Sequence, residues 1–121
     1  MSKEENSKPY GLEDRTFQFA RQVRALVRKV PRTLANIEDC RQPIRASGSM
    51  GANYREANEA VSKKDFAFRI KISRKESKES RYWLRLLHTG DGNDLDGERN
   101  ALAQEARELM NIFGAIVRKT Q

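Results

Sequence analysis

Hydrophobic residues recur at intervals of three and four along two long segments of the chain. In the first segment, which ends before Pro31, they are Leu12, Thr16, Phe19, Ala20, Val23, Leu26, Val27 and Val30. In the second segment, 95–118, they are Leu102, Ala106, Leu109, Met110, Phe113, Ile116 and Val117. This spacing is typical of one face of an α-helix, and no stretch shows the sustained alternation of a strand. The pattern predicts an all-α protein.

Two further helices are expected between these segments, over about 33–61 and 63–89. Pro43 lies inside the first of them, where it either kinks the helix or occupies the first turn of the longer C-terminal part. The turn-forming run HTGDGND precedes the last helix. Four helices with short connections predict an antiparallel up-down four-helix bundle. We expect one domain over 10–121, preceded by a disordered polar tail at 1–9.

The second helix contains glycines where a helix prefers alanine, in the run IRASGSMGANYREANEA at 44–60. Each internal glycine costs a helix about 1 kcal/mol relative to alanine. Gly48 and Gly51 fall on one side, where they would let a neighbouring helix backbone approach closely. Ser47 and Ser49 are expected to return their hydroxyls to carbonyls one turn earlier. A phosphate-binding loop is not indicated, because no strand precedes the run and no GK[ST] follows.

The third helix has two apolar faces. Its bundle-facing stripe consists of Phe66, Ile70, Ser73, Ser77, Leu84 and Leu87. A second apolar face consists of Phe68, Ile72, Trp83 and Leu86. A helix of an isolated bundle needs only one such face, so the second face predicts burial against another subunit. The alternative is that these residues are scattered surface hydrophobics without a partner.

Between these two faces runs a third, which carries only positive charge. This basic stripe consists of Lys64, Lys71, Arg74, Lys75, Lys78, Arg81 and Arg85. The chain has a formal net charge of +7, and most of it is concentrated in 63–85. At 1.5 Å per residue the stripe is roughly 30 Å long. A row of one sign repels itself, so it predicts a polyanionic partner, although a solvated face that aids solubility remains the alternative.

The first helix repeats the basic arrangement on the side away from its core, with Arg21, Arg24 and Arg28. The leading hypothesis is therefore a non-catalytic, oligomeric nucleic-acid-binding protein. It would contact the phosphates of RNA, or of an RNA–DNA intermediate, without reading base sequence. The alternative hypothesis is a structural adaptor whose basic rim docks an acidic protein partner.

Residues for catalysis or metal binding are sparse. The chain has one cysteine, Cys40, and one histidine, His88, so neither a disulfide nor a Ser-His-Asp or Cys-His triad can be assembled convincingly. We therefore expect no enzyme, no catalytic residues, no metal and no cofactor. No apolar run approaches the length of a membrane span, and the N-terminus lacks the apolar core of a signal peptide. These features predict a cytoplasmic protein without a membrane partner.

Two motifs resemble a known family. RxSGSxGANYxEA in the second helix and KDFxFRIKIxRKExKESxYWLRLL in the third resemble the bacterial four-helix-bundle proteins often encoded by intervening sequences inside large-subunit ribosomal RNA genes. The resemblance covers about 10–118. It implies ring-shaped homopentamers, and a related branch is the accessory protein of diversity-generating retroelements, which binds nucleic acid and a reverse transcriptase. The residues that match the family signatures are Arg45, Ser47, Ser49, Gly51, Asn53, Glu56, Ala57 and Glu79.

The resemblance implies a reverse transcriptase, besides other acidic proteins, as a protein that the chain could bind. It implies no established activity for the intervening-sequence branch. Asn53, Glu56 and Glu79 are expected to join a polar network at helix or subunit contacts, in which the carboxylates pair with arginines. Glu76 departs from the family pattern, because many members carry a small serine there.

Overall fold

The computed structural model describes residues 11–91 and 94–120. They form five helices: α1 (Leu12–Val27), α2 (Leu34–Asp39), α3 (Arg41–Asn58), α4 (Lys63–Leu86) and α5 (Leu95–Lys119). No strand occurs in these two ranges, which confirms the all-α prediction. Four of the helices are long and α2 has six residues. The predicted tail at 1–9 lies outside the described residues.

The four long helices form an antiparallel bundle in which α1 and α4 occupy diagonal corners. α3 packs against α1 and α4, and α5 packs against the same two helices. The directions follow from the contacts, since Glu13 near the start of α1 meets Arg55 near the end of α3, whereas Arg24 meets Ser47. In the same way Asn53 meets Arg69 across the α3–α4 seam. This arrangement confirms the four-helix bundle.

The segment expected to be one helix over 33–61 is two helices. Thr33 caps α2, its side chain accepting a hydrogen bond from the amide of Asn36. The Asn36 side chain is buried, donates to the carbonyls of Pro31 and His88, and accepts from the amide of His88. It thereby ties the α1–α2 connection to the end of α4.

Pro43 is the third residue of α3, so the first-turn alternative is correct and the kink is not. An N–H in the first turn has no partner within the helix, and proline therefore removes no helical hydrogen bond there. Two other helices end earlier than the apolar pattern suggested, α1 at Val27 and α4 at Leu86. Val30 and Leu87 are nevertheless buried, because the chain beyond each helix end still covers the core.

The bundle-facing stripe of α4 lies in the core as predicted. Ile70, Ser73, Ser77 and Leu84 are fully buried beneath α3 and α5. The Ser73 hydroxyl donates to the carbonyl of Met50 on α3, and the Ser77 hydroxyl donates to the carbonyl of Ser73. Each serine thus has a hydrogen-bond partner that a buried hydroxyl requires, while its small size brings the two helices close together.

The glycines of α3 face α1, as their placement on one side of the helix predicted. A Cβ added at Gly51 would lie 3.1 Å from Thr16 Oγ1 and 3.3 Å from Thr16 Cβ. Thr16 is buried, and its hydroxyl is directed to the carbonyls of Leu12 and Glu13. A methyl group at residue 51 would therefore push the two helices apart.

Gly51→Ala and Gly114→Ala are expected to change stability in opposite directions. At Gly51 the overpacking against Thr16, typically about 1–3 kcal/mol, exceeds the gain of about 1 kcal/mol in helix propensity. At Gly114 a Cβ would meet only side-chain atoms, at 3.4 Å and beyond, so the gain in propensity remains. Urea unfolding should give a lower midpoint for Gly51→Ala and a higher one for Gly114→Ala. Equal midpoints would contradict the close α1–α3 contact.

An ion-pair cluster around the buried Arg15, which the hydrophobic pattern does not reveal, joins α1 to α5. Arg15 is 4% exposed, and its Nε and Nη2 lie 2.7 Å from Glu105 Oε2 and 2.9 Å from Glu108 Oε1. The hydrogen bond to Glu105 is the largest influence that raises the pKa of Arg15. The two glutamates are thus held on the α1 side of α5, away from α4.

Candidate nucleic-acid interface

The basic stripe lies along one uninterrupted helix. Ser62 caps the start of α4, its hydroxyl accepting a hydrogen bond from the amide of Asp65, and the helix continues for 24 residues. Six of the seven stripe residues are exposed and Arg81 is half-buried. The continuous helix that the charge pattern requires is confirmed.

Carboxylates do not neutralise the stripe. Within 11–91 and 94–120, no ion pair involves any of its seven residues. Two acids are engaged elsewhere: Glu76 of α4 is buried against α3, where Ser49 and Arg45 contact it, and Glu98 of α5 pairs with Lys29 of α1. These two carboxylates therefore lie at other seams of the bundle, and the outer surface of α4 beside α5 stays positive.

The α4–α5 seam adds a cation that the charge pattern of the sequence does not reveal. Arg118 of α5 is exposed, and its Nη1 and the Nε of Arg74 lie on the same side of Gly114. In the sequence, the position of Arg118 indicates its place at this seam, because it lies one helical turn after Gly114, a small residue on the α4-facing side of α5. The hydrophobic periodicity of α5 alone does not show which side of its buried face lies next to α4 and which lies next to α1.

The arginines of α1 do not join this surface, because α1 is diagonal to α4. Arg21 and Arg28 are exposed on the outer side of α1. Arg24 differs from the expectation of a free, outward-facing cation. Its guanidinium donates to Ser47 Oγ and to the carbonyls of Ala20 and Ile44, which makes it part of the α1–α3 seam.

The second apolar face of α4 is uncovered in a single copy of the chain. Phe68 is 56% exposed and Leu86 is 50% exposed, while Ile72 and Trp83 are half-buried. Tyr82 lies edge-on against Trp83, with ring centroids 5.1 Å apart, and extends the patch. Exposed apolar residues in such a group mark a surface suited to contact with another macromolecule.

Family comparison supports the resemblance of the two helical motifs. Residues 12–115 match the family described as 23S rRNA-intervening sequence protein, which is most of the chain. The chain belongs to this family. No curated protein matches it.

A solved structure extends the likeness of this intervening sequence protein to the fold. It is the crystal structure of a protein with unknown function from the S23 ribosomal protein family of Bacteroides thetaiotaomicron. The two chains are 27% identical, the match covers 88% of this chain and 98% of the other, and the TM-score is 0.75. The fold is thus shared over nearly the whole of that relative.

The motif residues of the intervening sequence protein concentrate at the α3–α4 seam. Asn53 Nδ2 donates to the carbonyl of Ser49, and its Oδ1 accepts from Arg69 at 2.9 Å. Ser49 does not bond back along its own helix as expected; its hydroxyl is 3.4 Å from Glu76 Oε2 instead. Ser47 does bond back, to the carbonyl of Ile44. The network that forms therefore contains Asn53, Ser49 and Glu76.

Glu56 and Glu79 stand apart from this network. Glu56 is exposed and Glu79 is half-buried, and neither takes part in the ion pairs found within 11–91 and 94–120. The expected pairing of these carboxylates with arginines does not form within a single copy, and their pairing at a subunit contact stays a prediction. The structure also buries Ala57 in the core.

Further features of the intervening sequence protein are its one cysteine and a groove on its surface. Burial, and to a smaller extent Asp39, raise the pKa of the Cys40 thiol, which keeps it protonated at neutral pH. A groove of about 630 Å³ runs between α1 and α3 beside the exposed Phe17. Within 11–91 and 94–120, no three metal-binding side chains form a group, and none of the helices is long and apolar enough to cross a membrane.

Proposed function

We propose that this intervening sequence protein is a non-catalytic, oligomeric nucleic-acid-binding protein that favours RNA or an RNA–DNA intermediate. The single observation that supports it best is the unpaired basic stripe on one continuous helix. Clustered cations that lack carboxylate partners gain by releasing the counterions of a polyanion. A surface meant only for solubility would serve better with both signs of charge interspersed.

The proposed mode of binding is contact with the phosphate backbone. The stripe consists of lysine and arginine. Contacts from these side chains to phosphates position a protein on nucleic acid without reading its sequence. Tyr82 is the aromatic side chain next to the stripe, and its ring is already packed against Trp83. A stacking platform for single-stranded bases would need several free aromatic faces. We therefore favour duplex or structured RNA with weak sequence preference.

The proposed assembly is a ring-shaped homopentamer in which the second apolar face of α4 is buried against another copy. Its support is the exposure of Phe68 and Leu86 together with the partial exposure of Trp83. The number five comes from the family resemblance. A ring would repeat the basic stripe of each copy around one particle, and repeated weak contacts on one polyanion increase the overall affinity.

The test is a titration of the purified protein with a mixed-sequence RNA duplex of about 16 base pairs, in parallel with the matching DNA duplex. Binding to either duplex should weaken steeply as salt increases, with a slope of log affinity against log salt of about −0.9 for each phosphate contacted. Affinity without this salt dependence would contradict phosphate binding. Affinity purification before and after nuclease treatment tests the adaptor alternative, because an acidic protein partner retained after digestion would replace the proposal.

A further inference from the structure

Two arginines from different helices converge over a residue that has no side chain. A Cβ placed at Gly114 of α5 would lie 3.4 Å from Arg74 Nε and 3.6 Å from Arg118 Nη1. Both guanidinium groups therefore border the same point of α5, where they cover the buried Gly114. Arg74 comes from the middle of α4 and Arg118 from the last turn of α5, so the tertiary structure brings them together.

Like charges that lie close together repel each other, and a bound anion would relieve that repulsion. Among the described residues neither guanidinium has a carboxylate partner. Three acids of α5, Glu98, Glu105 and Glu108, are held on the α1 side by Arg15 and Lys29. The pair is thus left open to an anion from outside the chain.

We propose that Arg74 and Arg118 form a two-arginine clamp for one phosphate group of the nucleic-acid backbone, seated over Gly114. Guanidinium groups bind phosphate oxygens through directed, charge-assisted hydrogen bonds, and two of them can hold one phosphate from two sides. The small residue leaves the space in which both side chains lie along the α5 backbone. The clamp rests on the proposed function, and it extends the interface from α4 onto α5.

The first test compares Arg118→Gln with Lys119→Gln in binding to the same 16-base-pair RNA duplex. Both variants lose one exposed positive charge in the last turn of α5, but residue 119 lies about 100° further around the helix. Arg118→Gln should weaken binding about tenfold and make the salt slope shallower by about one. Lys119→Gln should change the affinity no more than about twofold. Equal effects of the two variants would overturn the clamp.

A double-mutant cycle tests whether the two arginines hold the same phosphate. If they do, the double variant Arg74→Gln and Arg118→Gln should weaken binding by clearly less than the product of the two single effects. The reason is that either single substitution already disrupts the contact with the shared phosphate. The salt slope should change by about one in the double variant as well. Independent effects, with a change of about two in the slope, would overturn the shared phosphate. Failure of the proposed function gives a different result, because the unmodified protein would then show no salt-dependent binding and the clamp would be lost with it.

Discussion

The triple variant Arg74→Glu, Lys78→Glu and Arg81→Glu is expected to lose nearly all affinity for a mixed-sequence RNA duplex. Each reversal removes a phosphate contact and adds repulsion, so we expect at least about a 100-fold loss at low salt and a salt slope shallower by about three. Stability should change little, because these side chains have no ion-pair partner in the described chain. Fluorescence anisotropy over a salt series measures both quantities.

The matched control carries the same change of charge outside the stripe: Arg28→Glu, Arg32→Glu and Arg41→Glu. These three residues are exposed near the α1–α2 and α2–α3 connections. A response to net charge alone would weaken binding equally in both triple variants and would contradict a localised interface. Circular dichroism of each variant establishes that the helices are intact.

The double variant Phe68→Ala and Trp83→Ala is expected to convert the proposed pentamer into smaller species. Large aromatic residues at the centre of an interface each contribute about 2 kcal/mol or more to association, and every copy in a ring contributes to two contacts. Light scattering should give a mass near 13.9 kDa for the variant, against five times that mass for the unmodified protein.

Its control removes two exposed apolar side chains elsewhere, Leu34→Ala and Val61→Ala. These residues are 81% and 94% exposed, which is more than Phe68. Non-specific hydrophobic association would therefore weaken at least as much in this control. A multimer unaffected by Phe68→Ala and Trp83→Ala would place the subunit contact on another face. Loss of the multimer in the control variant would likewise show that the subunit contact lies on another face.

Much of the fold is predictable from the hydrophobic pattern, because a long helix displays its buried face over several turns. The period of α1 and α5 identifies residues such as Phe19 and Phe113 that the structure buries completely. α2 is too short to show a period; its signal is the capping Thr33, followed three residues later by Asn36. The burial of Asn36 and Arg15 is not predictable from this pattern, because their partners, His88 and Glu105, are distant in sequence.

The candidate interface was predictable along α4 and not across the bundle. Helical geometry alone places Lys71 and Lys78 on one face. The neighbour of that face depends on how the helices pack, and the sequence pattern does not specify it. Arg118 joins the surface because α5 lies beside the stripe. Arg24 does not join it because α1 is diagonal to α4, and Ser47 and nearby carbonyls bind its guanidinium at the α1–α3 seam.

Protection of individual lysines from acetylation most directly measures whether the basic stripe binds nucleic acid. Lys64, Lys71, Lys75 and Lys78 are exposed, so a brief pulse of acetylating reagent should modify them readily in the free protein. With a saturating RNA duplex we expect mass spectrometry to show several-fold slower modification at these four positions, while Lys29 on the α1 side reacts as before. Equal acetylation of the four lysines with and without bound RNA would contradict binding through this helix.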